Sequence, residues 1–450
     1  MSTQAPPDTA TTSATAATAR TGSMAPGTGG TEAAGGTAAH RDHAPARRTR
    51  AGGEPAASGA GKGPRLALLD GLRLVAALAV VLFHYTAWHH GYFGTGQAAQ
   101  VWPTLSHITV LGDLGVQLFF LLSGLVVFRS LQGRSTGRFL GSRIGRIMPA
   151  LWVAVLLSGL LQMLLWRTPQ SGLTWGDLGW NLTLVGAPLH GAPWVDGVYW
   201  TLWIEARFYV MLLLVRAVLR WGIARAARRR GEVPGSVRTE PGPGAWTGFC
   251  AAWIAAGALV IVIGGIPATD SYRDWALTPT YCGLFAGGMM LHLIAQHGLT
   301  RWRLVVLAAA AAQSAWATAL ALPGQTEQVT GIHVPAAVYV ACVLGFFGLL
   351  AAVLFTRAAR VQWAWLTAAG ALTYPVYLLH EVPGWFLIDH LSPWLPARWV
   401  LALTLTAVLL AAWCVHRFVE RPLGPRLSRL VASVWSTGFE PRSRLREPAR

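Results

Sequence analysis

The sequence is short of charged residues, and the charge it has is mostly of one sign. Only 12% of the 450 residues are charged, and Lys62 is the only lysine, so the formal net charge of +17 comes from arginine. Soluble domains carry about 25% charged residues. This shortage, together with 53% hydrophobic residues and 22 tryptophans, excludes an ordinary soluble protein. The composition predicts an all-α fold, namely a polytopic membrane helix bundle.

A basic total can indicate a nucleic-acid partner. Here, however, the arginines lie in short blocks between apolar runs, which is the distribution of cytoplasmic loops. We therefore expect the lipid bilayer, and no nucleic acid, as a partner.

Cysteine is also scarce. The four cysteines fall inside apolar runs, and no two are close in sequence: Cys250, Cys282, Cys342 and Cys414. This usage excludes a disulfide framework and predicts no metal site.

The apolar runs predict the organisation of the chain. About ten segments are long enough to cross the hydrocarbon of a bilayer: 67–88, 108–128, 148–166, 198–219, 246–266, 276–296, 304–322, 334–356, 366–388 and 397–416. The segment 173–192 is too polar for a span, and we expect a re-entrant or surface piece there. Residues 1–64 lack apolar periodicity and predict a disordered N-terminal tail. The transmembrane domain is predicted over 65–422, and a basic C-terminal tail over 423–450.

Orientation follows from the arginines. They cluster in alternate connections, at 129–146, 220–230, 301–303, 357–360 and 417–429, and are sparse in the others. The positive-inside rule places these connections and both termini in the cytoplasm. We therefore expect a multi-pass protein of the plasma membrane.

The stretch LDGLRLVAALAVVLFHY, residues 69–85, carries ionisable side chains inside a predicted span. Such residues are costly in hydrocarbon and usually mark a ligand or proton path. Arg73 and His84 are eleven residues apart, so on a helix they lie within about 20° of one face and about 16 Å apart along the axis.

Further polar groups interrupt other spans. Gln117 and Ser123 lie in GDLGVQLFFLLSGLVVF, whose glycines are also explained by close helix packing. Arg143 and Arg146 precede Pro149, either as an ordinary cytoplasmic loop or as a clamp for a phosphorylated cofactor.

Two later motifs add titratable groups. Glu205 lies in YWTLWIEARFY, where a structural ion pair is the simpler interpretation. His380 and Glu381 lie in LTYPVYLLHEVPGW between Pro375 and Pro383, which are expected to bend the helix and free backbone carbonyls. A hydrogen-bonded core histidine is the alternative interpretation of His380.

Counting helix rise from the cytoplasmic ends places His84, His380 and Glu205 in one outer layer, with Arg73, Arg143 and Arg146 near the cytoplasmic edge. This arrangement would hold a phosphorylated donor from inside and react its far end with a molecule reached from outside.

These motifs, in this order, resemble the acyltransferase 3 family over residues 66–422. They are LDGLRLVAALAVVLFH, GVQLFFLLSG, the arginine block before Pro149, YWTLWIEARFY, YLLHEVP and VERP at 419–422. The resemblance implies transfer of an acyl group, commonly acetyl from acetyl-CoA, to a hydroxyl of a sugar, cell-envelope glycan or secondary metabolite.

On this resemblance, the expected site residues fall into three groups. We expect His84, Glu205 and His380 to be catalytic, Arg73, Arg143 and Arg146 to bind the acyl-CoA co-substrate, and Gln117, Ser123 and Glu381 to bind substrate. The sequence leaves direct transfer and a covalent acyl-enzyme open. A transporter or flippase for a glycan or lipid-linked substrate is the alternative function, because it would use the same buried charges.

Overall fold

The computed structural model describes residues 67–94, 98–166, 172–233, 239–266 and 277–439. These ranges contain helices and no β-strand. The predicted disordered tail, 1–64, lies outside the described residues. The first eight helices are α1 Ala67–Thr86, α2 Ala98–Val101, α3 Leu105–Thr109, α4 Gly115–Leu131, α5 Thr136–Leu160, α6 Trp175–Asn181, α7 Gly186–His190 and α8 Tyr199–Arg229. The remaining ones are α9 Pro243–Gly264, α10 Cys282–His297, α11 Arg301–Thr330, α12 Ala336–Phe355, α13 Ala364–Leu379, α14 Val382–Leu391, α15 Ala397–Val415 and α16 Arg421–Phe439.

In the described part of the chain, seven helices are long and apolar enough to cross a membrane: Ala67–Thr86, Leu105–Leu131, Thr136–Leu165, Pro243–Gly264, Arg301–Thr330, Ala336–Phe355 and Ala397–Gly438. The all-helical membrane class is confirmed, but the count of about ten is not. Three of the predicted spans correspond to helices that are too short or carry too many charges to count as spanning helices. Helix α8 carries three charged residues in its first 18 positions, and α10 and α13 are only 16 residues long.

The centre of the bundle is held by helices that meet at glycine. On α4 and α10, a Cβ at Gly124 would overlap the backbone of Phe285, and a Cβ at Gly288 would overlap the carbonyl of Leu121. The two backbones are therefore in direct contact. Such close packing at small residues is a main source of association between membrane helices, since the hydrophobic effect does not drive them together in lipid. This contact fixes the position of α4 along its axis relative to α10. Gln117 and Ser123 lie on α4.

We expect Gly288→Ala to lower the free energy of unfolding by about 1–3 kcal/mol, because the added methyl group has no room without separating α4 from α10. The midpoint of thermal unfolding in detergent measures this. Gly345→Ala on α12 is the matched control, since nothing lies within 4 Å of the added Cβ. Equal midpoints for the two variants would show that α4 and α10 do not pack this closely.

The C-terminal segment from residue 423, predicted as a basic tail, is helical as far as Phe439 and packs along α5. Gly137, Gly141 and Gly145 of α5 face Ala432, Ser428 and Gly424 of α16 in antiparallel register. An apolar run does not mark this helix in the sequence, because arginines interrupt it and its packing face is made of small residues.

The predicted ninth span is broken where its prolines indicated. Helix α13 ends at Leu379 and α14 begins at Val382, so His380 and Glu381 form the break. The hydroxyl of Tyr85 donates a hydrogen bond of 2.6 Å to the carbonyl oxygen of His380, which satisfies one backbone acceptor that the broken helix leaves free.

Candidate functional site

A small inner cavity of about 90 Å³ is lined by cationic side chains. Arg73 comes from α1, and Arg143 and Arg146 come from α5. Glu205 of α8 lies among them, and its Oε1 accepts a hydrogen bond of 2.8 Å from Ser123. With three guanidinium groups against one carboxylate, the lining keeps positive charge for an anionic ligand.

The guanidinium groups of this cavity are oriented by their neighbours. Arg73 Nη1 lies 3.6 Å from Asp70 Oδ1, one turn earlier on α1. The guanidinium of Arg143 lies 5.9 Å from the ring centroid of Tyr209. Arg146 is the most exposed of the three, so it lies nearest to the cavity mouth.

A second cavity, of about 830 Å³, is lined by His84 and by several aromatic and polar residues. This outer cavity includes, among others, Trp88, Asp113, Gln117, Trp194, Trp200, Trp203, Arg207, Gln325 and Glu381. Part of its wall is the segment between α7 and α8, at residues 191–198. Its volume lies within the range of pockets for small molecules, about 300–1,000 Å³.

The hydrogen bonds of His84 determine which ring nitrogen carries the proton. Nδ1 lies 2.9 Å from the carbonyl oxygen of Val80 and 3.1 Å from Nε2 of His380. Nδ1 of His380 lies 2.8 Å from the carbonyl oxygen of Tyr377. A carbonyl oxygen only accepts, so both Nδ1 atoms carry a hydrogen, and in the neutral pair each Nε2 keeps a lone pair. His84 Nδ1–H is then shared between Val80 and His380, and the lone pair of His84 Nε2 is left for a ligand.

The buried side chain of His380 packs against the ring of His84. His380 is fully buried, and its ring centroid lies 4.9 Å from that of His84. The indole of Trp88 stacks on His84 at 5.3 Å, and Trp385 Nε1 donates a hydrogen bond to the carbonyl of His84. The imidazole of His84 is therefore packed between His380 and Trp88, its backbone is held by Trp385, and it borders the outer cavity.

The two cavities share part of their lining. Val116 of α4 and Tyr377 of α13 border both of them. The hydroxyl of Tyr377 lies 3.0 Å from that of Thr201, so these two groups satisfy each other. We call the region of Val116, Gln117 and Tyr377 the throat. It lies where the arginine-lined inner cavity and the histidine-lined outer cavity adjoin.

Glu205 does not lie where helix counting placed it. It borders the inner cavity with the arginines, whereas His84 borders the outer one. The expected layer of His84, His380 and Glu205 is therefore wrong for Glu205. The count assumed that α8 begins at the outer membrane surface, but the preceding segment lines the outer cavity and α8 begins inside the protein. Ser123 belongs to the inner cavity too, while Gln117 and Glu381 border the outer one.

Comparison with known proteins fits this geometry. The model of the family Acyl_transf_3, described as an acyltransferase domain, matches residues 66–417, more than half of the chain. The chain belongs to this acyltransferase family. "Acyltransferase MdmB" of Streptomyces mycarofaciens is 28% identical over 391 residues, which cover 81% of this chain and 93% of that protein. No solved structure gives a significant match. The family match and this relative support an O-acyltransferase.

Sequence reasoning missed one buried residue that holds the wall of the outer cavity, Asp196. It is 1% exposed, and its carboxylate accepts hydrogen bonds from Ser158 Oγ and from the backbone N–H groups of Val198 and Val382. It also shares a hydrogen bond with the side chain of Glu381, and burial raises the pKa of Asp196. Asp196 thus ties the 191–198 segment to the break between α13 and α14. A lone aspartate in a polar loop gave no signal, because its partners come from distant parts of the chain.

We expect Asp196→Ala to lower the free energy of unfolding by about 2–4 kcal/mol, because it leaves several buried donors without an acceptor. Thermal unfolding in detergent measures the loss. Asp177→Ala, which removes the capping box of the exposed helix α6, serves as control and should cost about 1 kcal/mol. A smaller effect at Asp196 than at Asp177 would contradict its role in holding the cavity wall.

Proposed function

We propose that this membrane acyltransferase moves an acyl group, in the first instance acetyl, from acyl-CoA to a hydroxyl group of a sugar, cell-envelope glycan or secondary metabolite. The observation that supports this most is that a cavity lined by three arginines adjoins, at Val116 and Tyr377, a cavity lined by His84. A donor with phosphates at one end and a reactive thioester at the other matches that arrangement.

The donor's phosphates fit the inner cavity. Arginine binds phosphate through a planar fork of donors, and Arg73, Arg143 and Arg146 converge there. Along α1, Arg73 and His84 are about 16 Å apart, and the pantetheine arm is the part of acyl-CoA that would bridge this distance. Glu205 and Ser123 then belong to the donor-binding end, where the carboxylate orients the guanidinium groups.

His84 is the general base in this proposal. Nε2 takes the proton of the acceptor hydroxyl while the oxygen attacks the thioester carbonyl carbon. The carbon–sulfur bond breaks, and the proton on Nε2 passes to the departing thiolate to give free CoA. His380 keeps Nδ1–H of His84 in place through its own Nε2, so it positions the base and does not contact the reacting atoms.

The acceptor occupies the outer cavity. Aromatic faces at Trp88, Trp194 and Trp200 suit the apolar faces of a sugar or polycyclic ring, and Glu381 offers a polar group to its hydroxyls. We place the protein in the plasma membrane with both termini in the cytoplasm, and we propose that α8, α10 and α13 also cross the bilayer within the bundle.

The test uses the purified protein in detergent with acetyl-CoA and extracts of glycans and metabolites. Expected results are release of free CoA and a mass increase of one acetyl group in a single class of extract component. Absence of both with every extract would overturn the proposal. Net movement of a glycan or lipid across proteoliposomes without acyl-CoA would favour a transporter instead.

A further inference from the structure

The throat contains a buried polar side chain that the protein itself does not satisfy. Gln117 of α4 is 3% exposed and borders the outer cavity directly beside Val116. Within the described part of the chain its carboxamide forms no hydrogen bond, and Oε1 is buried without a partner. Buried amides are nearly always paired in folded proteins, so this side chain points to a ligand.

Two pairs of polar side chains near Gln117 already satisfy each other. Thr201 and Tyr377 pair with each other at 3.0 Å. Ser123, further along α4, donates to Glu205 at 2.8 Å. Gln117 therefore stands out as a hydrogen-bonding group in the throat that is still available, and a purely structural role leaves its carboxamide unexplained.

The packing of α4 against α1 determines where Gln117 lies along the length of α1. A Cβ at Gly112 would overlap the carbonyl of Ala79, and a Cβ at Gly115 would press on the carbonyl of Ala76, so α4 runs antiparallel to α1 in a fixed register. Continuing that register places Gln117 above Arg73 and below His84. A ligand that reaches from the arginines to the histidine must pass this carboxamide.

We infer that Gln117 binds an amide group of the pantetheine arm of the acyl-CoA donor, an inference that rests on the proposed function. The arm contains two secondary amides between the phosphates and the sulfur, and each offers one N–H donor and one C=O acceptor. A carboxamide offers the complementary pair, an acceptor in Oε1 and donors on Nε2. Val116 and Phe119 beside it are apolar, so a hydrogen bond made there is shielded from water.

The test replaces Gln117 by leucine, which has a similar volume and no hydrogen-bonding group. We expect the Kd for CoA, measured by calorimetry with the purified protein, to rise about five- to tenfold, the loss typical of one neutral hydrogen bond. The KM for S-acetylpantetheine should rise by the same factor, since this donor keeps both amides and lacks the nucleotide. Gln100→Leu is the matched control and should leave the Kd for CoA unchanged, because Gln100 is exposed on α2 and borders neither cavity.

Several results would overturn the inference. They are an unchanged Kd for CoA in Gln117→Leu, a rise confined to donors that carry the nucleotide, or a rise in the acceptor's KM alone. Gln117→Met provides a second apolar variant, and thermal unfolding checks that both are folded. Failure of the proposed function has a different signature: the wild-type protein would neither bind CoA nor release it from acetyl-CoA.

Discussion

Replacing His84 by alanine is expected to lower kcat for acyl transfer by about a thousandfold, within the range for removal of a general base. The reason is that Nε2 of His84 has the lone pair that borders the outer cavity, because Nδ1 is committed to Val80 and His380. Binding of acetyl-CoA should change little, since the arginines lie in the other cavity. Release of CoA, followed with a thiol reagent in the presence of acceptor, measures the rate.

The control for this variant is His107→Ala, an exposed histidine on the short helix α3, which should keep the wild-type rate. His380→Phe should cost less than His84→Ala, because it removes the group that positions the imidazole and leaves the base itself. A folded His84→Ala protein with the full rate would remove His84 from the chemistry.

The second large effect concerns the donor. Arg143→Ala combined with Arg146→Ala is expected to raise the KM for acetyl-CoA by at least about a hundredfold, because two charge-assisted hydrogen bonds to phosphate are lost, each contributing about 1.5–3 kcal/mol. The KM for S-acetylpantetheine should stay at the wild-type value, since that donor has no nucleotide. Initial rates at varied donor concentration measure both constants.

Arg360→Ala is the control for the arginine pair. Arg360 is an exposed residue in the 3₁₀ turn Arg357–Arg360, and its loss should leave both constants unchanged. An equal rise in KM for the two donors would show that the arginines act on the fold or on the acyl end of the donor, and not on the phosphates.

The sequence alone predicts the relative position of two residues when both lie on the same helix. Arg73 and His84 lie on α1, so helix geometry alone predicts their shared face and their separation. In the structure they border two adjoining cavities. The prolines around His380 likewise predicted a bend in the ninth segment, and in the structure the helix is interrupted there, between Leu379 and Val382.

Relations between helices could not be predicted in this way. The depth of Glu205 depends on the segment before α8 lining the outer cavity, and the importance of Asp196 depends on partners on α5 and at the start of α14. The predicted number of spans is not confirmed for a related reason. Helices α10 and α13 are short, and their burial against other helices is invisible to a count of apolar runs.

The charged residues buried in the bundle are stabilised by polar surroundings. Arg73, Glu205 and Asp196 would each be costly in hydrocarbon alone, but each lies next to another polar group or a cavity. These polar groups thus lie in or beside two adjoining cavities, and the glycine contacts hold α4, which lines both cavities, in register with α1 and α10.

A cryo-electron microscopy structure of the protein with CoA bound tests the central claim most directly, namely that one donor spans both cavities. We expect density for the phosphates beside Arg143 and Arg146, the arm passing Val116 and Tyr377, and the sulfur in the outer cavity near Nε2 of His84. A sulfur that stays in the inner cavity, or phosphates bound at the outer end, would contradict it.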